Sequence, residues 1–339
     1  MKYVGIDYHD KVLAICIENS NGKVQEEFKT TADHKGIDLL LEKLAGQRFK
    51  VMGEASTYSI NLHEYLLSKG ADSVLVNPHH ILLITKSDKK TDRHDAEVLA
   101  SYLRLMDKNE ISLSVSYIVT DEERELRDLC RYREFAGEQK GECVQRIKSH
   151  MRLHDQELEG GYDDFSTLKG QTMLRQTFGD DFILMSLLDD YLYWNNRSEA
   201  IDRMLGEDRF QTREVELLSS IPGIGNLTAV QLMSMIVDIG RFETADQMRS
   251  FFGMNPRVKD SGKTVNHGHI TKHGDPMMRS ILGRVLNQFL VRKGDNWLMR
   301  YYNSHVGHMG KKKVRMACMN KLLDLIFAIL KRGTPYISR

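Results

Sequence analysis

The stretch that decides the fold runs Tyr3-Val4-Gly5-Ile6-Asp7, then Val12-Leu13-Ala14-Ile15-Cys16-Ile17, then Asn19-Ser20-Asn21-Gly22, and on from Lys23 to Thr30. Two apolar runs, a turn signal and a third run predict three antiparallel strands in a meander. Outward from there the pattern alternates. Ile37, Leu40, Leu41 and Leu44 stand at helical spacing, and Phe49 to Gly53 reads as a short strand ending at Glu54. A helix carrying Leu62, Tyr65 and Leu66 follows, then a strand from Ser73 to Val76. A meander followed by alternating helices and strands gives a mixed α/β sheet.

From about Pro78 to Leu105 the pattern turns helical. Residues 121 to 155 are strongly charged, with apolar positions at Leu126, Leu129, Tyr132, Phe135, Cys143, Ile147 and Met151. That spacing predicts a long amphipathic or coiled-coil helix, weakened in its middle by Gly137 and Gly141. More helix is expected from Arg175 to Leu217. Ser220-Ile221-Pro222-Gly223-Ile224-Gly225 then sits between two helical patterns, the second carrying Leu227, Val230, Leu232 and Ile236. This is the pattern of a helix-hairpin-helix, whose glycine turn, here Gly223 and Gly225, lets backbone N–H groups approach a DNA phosphate. An ordinary tight helix–helix turn would read the same way. The expected organisation is an α/β domain over 1–115, a helical linker over 116–210 and a mostly α-helical C-terminal domain over 211–339.

The chain has 339 residues, of which 41% are hydrophobic and only 5 are Pro, with a formal net charge of +1. That composition suits two or three folded domains and excludes a disordered chain. No apolar run approaches the ~20 residues of a membrane span, so no membrane partner is expected. The N-terminus enters an apolar strand without a signal-peptide pattern. Cys16, Cys130, Cys143 and Cys318 are far apart, which argues against a disulfide scaffold or a thiolate zinc site and fits a reducing cytoplasm. The near-zero charge hides an asymmetry. Ile221 to Arg339 carries 19 Lys+Arg against 7 Asp+Glu, a balance of +12, and the remainder is −11. A basic C-terminal third suggests a polyanion partner.

Four acids stand out by position. Asp7 and Glu54 each end a strand, and Asp92 and Asp95 lie in Lys90-Thr91-Asp92-Arg93-His94-Asp95-Ala96 at the start of a helix. Strand-end acids can converge at one sheet edge, and an i, i+3 pair shares a helix face. All-oxygen ligands suit Mg2+ or Mn2+, and two such ions about 3.5–4 Å apart clamp the attacking and leaving oxygens of a phosphoryl transfer. Taken singly, each acid reads better as a turn or capping residue; the four together, in this order on these elements, favour a metal site.

In the basic third, Ser261 lies in a Gly-flanked loop with Arg257, Lys259 and Lys263 around it. A hydroxyl among cations can attack a phosphodiester, though a plain Ser-Gly turn would look alike. His267, His269 and His273 lack a Cys or carboxylate to complete a tetrahedral set, so phosphate contact or simple exposure is the better reading. Lys311-Lys312-Lys313-Val314-Arg315 precedes an amphipathic helix and can bind phosphates.

Together these segments resemble a known family. Gly5-Ile6-Asp7, Gly53-Glu54-Ala55, the 90–96 motif and Leu99-Ala100 look like the N-terminal DEDD domain of the insertion sequence 110 family of transposases, which includes the pilin-gene invertases. Ile221-Pro222-Gly223-Ile224-Gly225, Phe252-Gly253-Met254-Asn255-Pro256, Ser261-Gly262-Lys263, Ile270-Thr271-Lys272-His273-Gly274-Asp275 and Arg279 resemble its C-terminal transposase domain. The matches run in family order over nearly the whole chain. The resemblance implies a RuvC-like (RNase H-like) first domain with Asp7, Glu54, Asp92 and Asp95 as Mg2+ (or Mn2+) ligands, and Ser261 as nucleophile. It also implies donor and target DNA and a bridge RNA as partners. A site shared between protomers of a homo-oligomer (dimer or tetramer) is implied as well, in a cytoplasmic, nucleoid-associated protein. Arg257, Lys259, Lys263, Lys272 and Arg279 are then the expected phosphate contacts. The departures are Tyr8-His9-Asp10 after the first acid and Met277-Met278 before Arg279.

Three functions compete on this reading. The first is a DNA transposase or site-specific recombinase acting through Ser261 and the acids. The second is a metal-dependent junction-resolving nuclease that uses water. The third is a DNA-binding protein without catalysis.

Overall fold

The computed structural model describes all residues except 78–91, 114, 159–160, 162–163, 262–263, 292–295 and 338–339; for Asp92, Arg93, Asp164, 257–261 and 264–269 it describes the backbone alone. The chain divides into two compact units, Met1–Ile118 and Val119–Arg339.

The first unit is a mixed five-stranded sheet. Strands β1 (Lys2–Tyr8), β2 (Val12–Asn19) and β3 (Val24–Thr31) form the expected meander, and β4 (Phe49–Glu54) and β5 (Asp72–Val76) join on the other side of β1. The order is β3-β2-β1-β4-β5. β1 pairs antiparallel with β2 and parallel with β4, and β4 pairs parallel with β5. Alternation along β1 sends Val4, Ile6 and Tyr8 to one face and Tyr3, Gly5 and Asp7 to the other.

The first face is covered by α1 (His34–Lys43) and α2 (Ser59–Ser68), giving a core of Val4, Ile6, Leu13, Ile15, Ile37, Leu40, Val51 and Leu66. Asp33 caps α1 by accepting from the Gly36 N–H at 2.9 Å. The second face is covered by α3 (Asp92–Asp107), whose Ala96, Leu99, Ala100 and Leu103 pack over Tyr3, Met52, Val76, Ala14 and Cys16. Burying each large aliphatic side chain in these layers is worth about 1.5–3 kcal/mol.

The second unit is mostly helical. Its first element, α4 (Asp121–Leu153), is opened by a capping box: the Thr120 side chain accepts from the Glu123 N–H, and the Glu123 carboxylate accepts from the Thr120 N–H. α4 runs through Gly137 and Gly141 without a break. Neighbouring contacts with α6 (Phe182–Leu205) offset the glycine penalty. Arg133 pairs in bidentate fashion with Asp202 at 2.8 and 3.1 Å, and Phe135 meets Trp194 edge-to-face. Farther along, Cys143, Ile147 and Met151 join Leu184, Leu188 and Tyr191, with Leu174 from α5 (Leu168–Phe178).

A larger core gathers α7 (Arg213–Ser219), α8 (Asn226–Ile236), α9 (Ala245–Phe251), α10 (Pro276–Val291), α11 (Trp297–Met309) and α12 (Lys311–Arg332). Lys311–Lys313 form the first turn of α12 rather than a segment ahead of it. A two-stranded antiparallel hairpin, β6 (Pro256–Ser261) and β7 (Thr264–Ile270), interrupts the helices where none was expected. The four cysteines are buried, and none forms a disulfide with another. Among the described residues no helix is long and apolar enough to cross a membrane.

Candidate active site

The parallel register pairs Ile6 with Gly53, so the next residues along the two strands are Asp7 and Glu54. Both strands present the same face here. Asp7 shares its face with Gly5, and Glu54 shares its face with Met52, which packs under α3. Asp7 and Glu54 are thus neighbours at one end of the sheet, on the α3 side. The Asp7 side chain is 14% exposed and its Oδ2 lies 3.0 Å from His9 Nε2; Glu54 is half-buried.

Helix α3 runs antiparallel to β1. Its middle, Ala96 and Ala100, sits directly over Gly5, and its last residue, Asp107, accepts a 2.7 Å hydrogen bond from Tyr3 Oη. Its first turn, Asp92 to Asp95, is therefore at the end of the sheet that carries Asp7. Asp95 is exposed; the side chain of Asp92 lies outside the described residues. Among the described residues, no three His, Cys, Asp or Glu side chains stand close enough to hold a metal ion. The carboxylates themselves are the hard oxygen donors that Mg2+ or Mn2+ takes, so the donor chemistry fits.

Sequence marks Gly5, Ala96 and Ala100 only as members of motifs, and Glu18, Ser101 and Arg104 not at all, yet these residues set α3 on the sheet. A Cβ on Gly5 would stand 1.9 Å from the Ala96 carbonyl oxygen and 2.6 Å from the Ala100 nitrogen, so only glycine permits this approach. Glu18 on β2 is 1% exposed and accepts from Ser101 Oγ at 2.6 Å and from Arg104 Nε at 3.2 Å. At the far end Asp107 also takes Lys50 Nζ at 2.6 Å. The Lys50 ammonium, and then the Tyr3 hydroxyl, hold the Asp107 carboxyl below its usual range. Gly53 is needed for the same reason on the opposite face: the Tyr8 ring lies over it, 2.3 Å from where a Cβ would be. Tyr8 Oη is buried with no partner among the described residues, and burial pushes its hydroxyl well above the usual tyrosine range.

In the second unit, Ser261 is the last residue of β6 and pairs with Thr264, the first residue of β7. The expectation that Ser261 lies in a Gly-flanked loop is corrected: its backbone is the last residue of a strand paired antiparallel with β7. Arg257 and Lys259 lie on the same strand, their side chains and that of Ser261 outside the described residues, as Lys263 is altogether. The base of the hairpin is tightly closed. Thr271 N–H donates to Asn255 O at 3.0 Å, and Lys272 N–H donates to Gly253 O at 3.1 Å. Gly253 has φ +65°, and a Cβ there would meet the His273 nitrogen at 2.6 Å; one on Gly274 would meet the Phe252 carbonyl carbon at 2.3 Å.

Arg279 stitches this base together, its Nη1 donating to the carbonyls of Gly274 at 2.8 Å, Phe252 at 3.3 Å and Asp275 at 3.4 Å. Lys272 is exposed, with φ +59°. Arg131 Nη2 approaches Asp275 at 3.2 Å, and Asp275 also caps α10 by accepting from the Met277 N–H.

The 220–225 turn joins α7 to α8 as read from sequence. Gly223 has φ +83° and is packed 3.2 Å, by its missing Cβ, from Gln288. Gly225 is exposed and is the N-cap of α8, with open space where a side chain would project.

Comparison with known proteins gives two family matches. Residues 4–154 match the IS110-type DEDD transposases, and residues 215–303 match the family described as Transposase IS116/IS110/IS902 family. The chain is 23% identical over 349 aligned positions to the transposase for insertion sequence element IS1111A of Coxiella burnetii, covering 99% of this chain and 91% of that protein. It is 24% identical to the putative transposase y4qE of Sinorhizobium fredii, over 83% of this chain and 70% of that one. It is also 27% identical to the pilin gene-inverting protein of Moraxella lacunata, over 44% of this chain and 48% of that one.

Proposed function

The chain belongs to the IS116/IS110/IS902 transposase family, and from that premise we propose how it cuts and rejoins DNA. The first unit acts as a RuvC-like domain: the strand order, with its antiparallel meander and parallel β1, β4 and β5, supports that reading. Asp7, Glu54, Asp92 and Asp95 hold divalent metal, Mg2+ or Mn2+. When bound, the ions supply positive charge to the phosphoryl oxygens of the reacting strand. The one observation that carries this is the register: Asp7 and Glu54 are adjacent strand-end residues on the face over which α3 lays its first turn.

Ser261 is the proposed nucleophile. Its Oγ forms a bond to phosphorus, the bond from phosphorus to a sugar oxygen breaks, the serine proton leaves to solvent and the departing sugar oxygen takes one up. The strand stays linked to the protein until a sugar hydroxyl of the partner strand reverses the step. Placement at the end of β6, in the basic third of the chain, supports this role. Arg257, Lys259, Lys263, Lys272 and Arg279 are the proposed phosphate contacts. Gly223 and Gly225 offer backbone N–H groups at the start of α8, as a helix-hairpin-helix does. Donor and target DNA are paired by a bridge RNA. The long helix α4 serves assembly of a dimer or tetramer, in which acids of one protomer meet the serine of another.

The test is a labelled DNA junction incubated with the parent protein and with Ser261→Ala in Mg2+, scored for a covalent protein–DNA adduct. An adduct that the substitution removes and that Asp7→Asn also removes is the expected outcome. Metal-dependent cutting that survives Ser261→Ala without any adduct would replace the serine with water.

A further inference from the structure

The catalytic edge carries a second feature on its other side. Where the loops after β1 and β4 meet the start of α1, a cleft of about 550 Å3 opens to solvent. That is within the size of small-ligand sites, roughly 300–1,000 Å3. His9 lines it, and the same imidazole lies 3.0 Å from Asp7. The cleft is therefore one side chain away from a proposed metal ligand.

Its walls are made of flat and hydrogen-bonding groups. Tyr58 is 53% exposed at the N-cap of α2, where its side chain makes no capping bond. His34, also in the lining, stacks on Tyr65 with centroids 3.9 Å apart and planes 6° from parallel, so the imidazole is held as a fixed plate. Asn61 and Thr57 bring an amide and a hydroxyl, and Lys35 brings a cation. Two carboxylates border it. Asp33 is engaged with Thr31 Oγ1 and the Gly36 N–H; Asp10 is exposed. Stacking surfaces with an amide and one cation suit a planar, uncharged ligand that has a hydrogen-bonding edge and a phosphate beside it.

We infer that this cleft takes one unstacked nucleobase of the DNA strand being cut, stacked on Tyr58 and read at its edge by Asn61, with Lys35 on an adjoining phosphate. It rests on the proposed cleavage at Asp7 and Glu54 and adds to it a positioning subsite that fixes which phosphate reaches the acids. Continuity through His9 argues for the cut DNA strand as the occupant.

The test uses the full-length protein as Asp7→Asn, without added metal, so that binding is read apart from cleavage. The probe is a synthetic four-way DNA junction carrying 2-aminopurine at one nucleotide at a time beside the branch point. The expected result is a fluorescence change at a particular position that Tyr58→Phe keeps and Tyr58→Ala loses. Junction affinity should fall roughly five- to hundredfold with the loss, the worth of one base–aromatic stack. In the cleaving protein, Tyr58→Ala should also shift or scatter the cut position, which a merely structural Tyr58 would not do. Asn61→Ala should weaken discrimination among bases at that position.

No position responding in the parent, or equal responses with Tyr58→Ala, overturns the inference. So does a single-stranded RNA that takes the response away from the junction, since the occupant would then be RNA. A base-specific response in a protein that shows no metal-dependent cutting would sink the metal reading and leave the cleft in place.

Discussion

Gly5 and Ala96 touch backbone to backbone: a Cβ on Gly5 would lie 1.9 Å from the Ala96 carbonyl oxygen, closer than packed atoms allow. Because Ala96 follows Asp95 directly, this contact sets the height of the acidic first turn of α3 above Asp7. Gly5→Ala must lift the helix, since the obstacle is backbone and not a flexible side-chain end. The expected cost is about 1–3 kcal/mol of stability, as for other overpacked cores. Metal-dependent DNA cutting should fall more steeply than DNA binding. Thermal unfolding with parallel cleavage and binding assays checks both.

Glu18 and Arg104 provide a second check on the same helix. Glu18 is 1% exposed, so removing its cation leaves a buried charge unpaired. Arg104→Ala is expected to destabilise the protein by about 3 kcal/mol in urea unfolding, and the double substitution with Glu18→Leu by less than the single one. A double-mutant cycle that shows no coupling would remove the pair from the account of how α3 is held.

Tyr8 gives a prediction of opposite sign. Its Oη is buried with no partner among the described residues, so Tyr8→Phe removes an unmet hydroxyl while keeping the ring over Gly53. Stability should be unchanged or rise by up to about 1 kcal/mol. A marked loss in thermal unfolding would show that the hydroxyl is used.

Asp181 sets a pH dependence. It caps α6 by accepting from the Leu184 N–H at 2.9 Å and also takes His150 Nε2 and Gln156 Nε2. The backbone N–H of Leu184, then the imidazole of His150, hold its carboxyl far below the usual range. A depressed folded pKa adds stability above the unfolded value of about 3.9, and that stability is lost as pH falls below it. Asn also caps helices, so Asp181→Asn keeps the cap and removes the charge. The parent should lead the variant at neutral pH and converge with it in acid, followed as Tm against pH.

Gly274 and Phe252 govern the hairpin. A Cβ at Gly274 would stand 2.3 Å from the Phe252 carbonyl carbon, so Gly274→Ala must open the closed base. Strand exchange is expected to drop at least tenfold while α-helical circular dichroism stays near that of the parent, because α9 and α10 are formed without the hairpin.

The five-strand sheet was legible because alternation and turn residues speak within a few positions of one another: Asn19 to Gly22 marks a turn, and Val4 and Ile6 mark a face. Strand-end acids followed from the same local pattern. What stayed hidden depends on contacts distant in sequence. Nothing near Glu18 signals that Ser101 and Arg104 will meet it, and Gly5 looks like any glycine until α3 lies on it. The 256–270 hairpin was missed because its strands are made of Lys, Asp, Asn and His as much as of apolar residues. Their pairing is supported by the closed base, not by hydrophobic alternation.

That closed base makes Ser261 the far end of a lever. At about 3.3 Å per residue, the five steps from Pro256 to Ser261 carry it about 17 Å from its anchor, so a tilt of about 5° moves it by about 1.5 Å. Displacements of about 1 Å can cost a hundredfold in rate when reacting atoms must be aligned. The glycines and carbonyls of the base therefore hold the aim of the proposed nucleophile, and small angular changes at Gly253, Gly274 or Arg279 would be read out as rate.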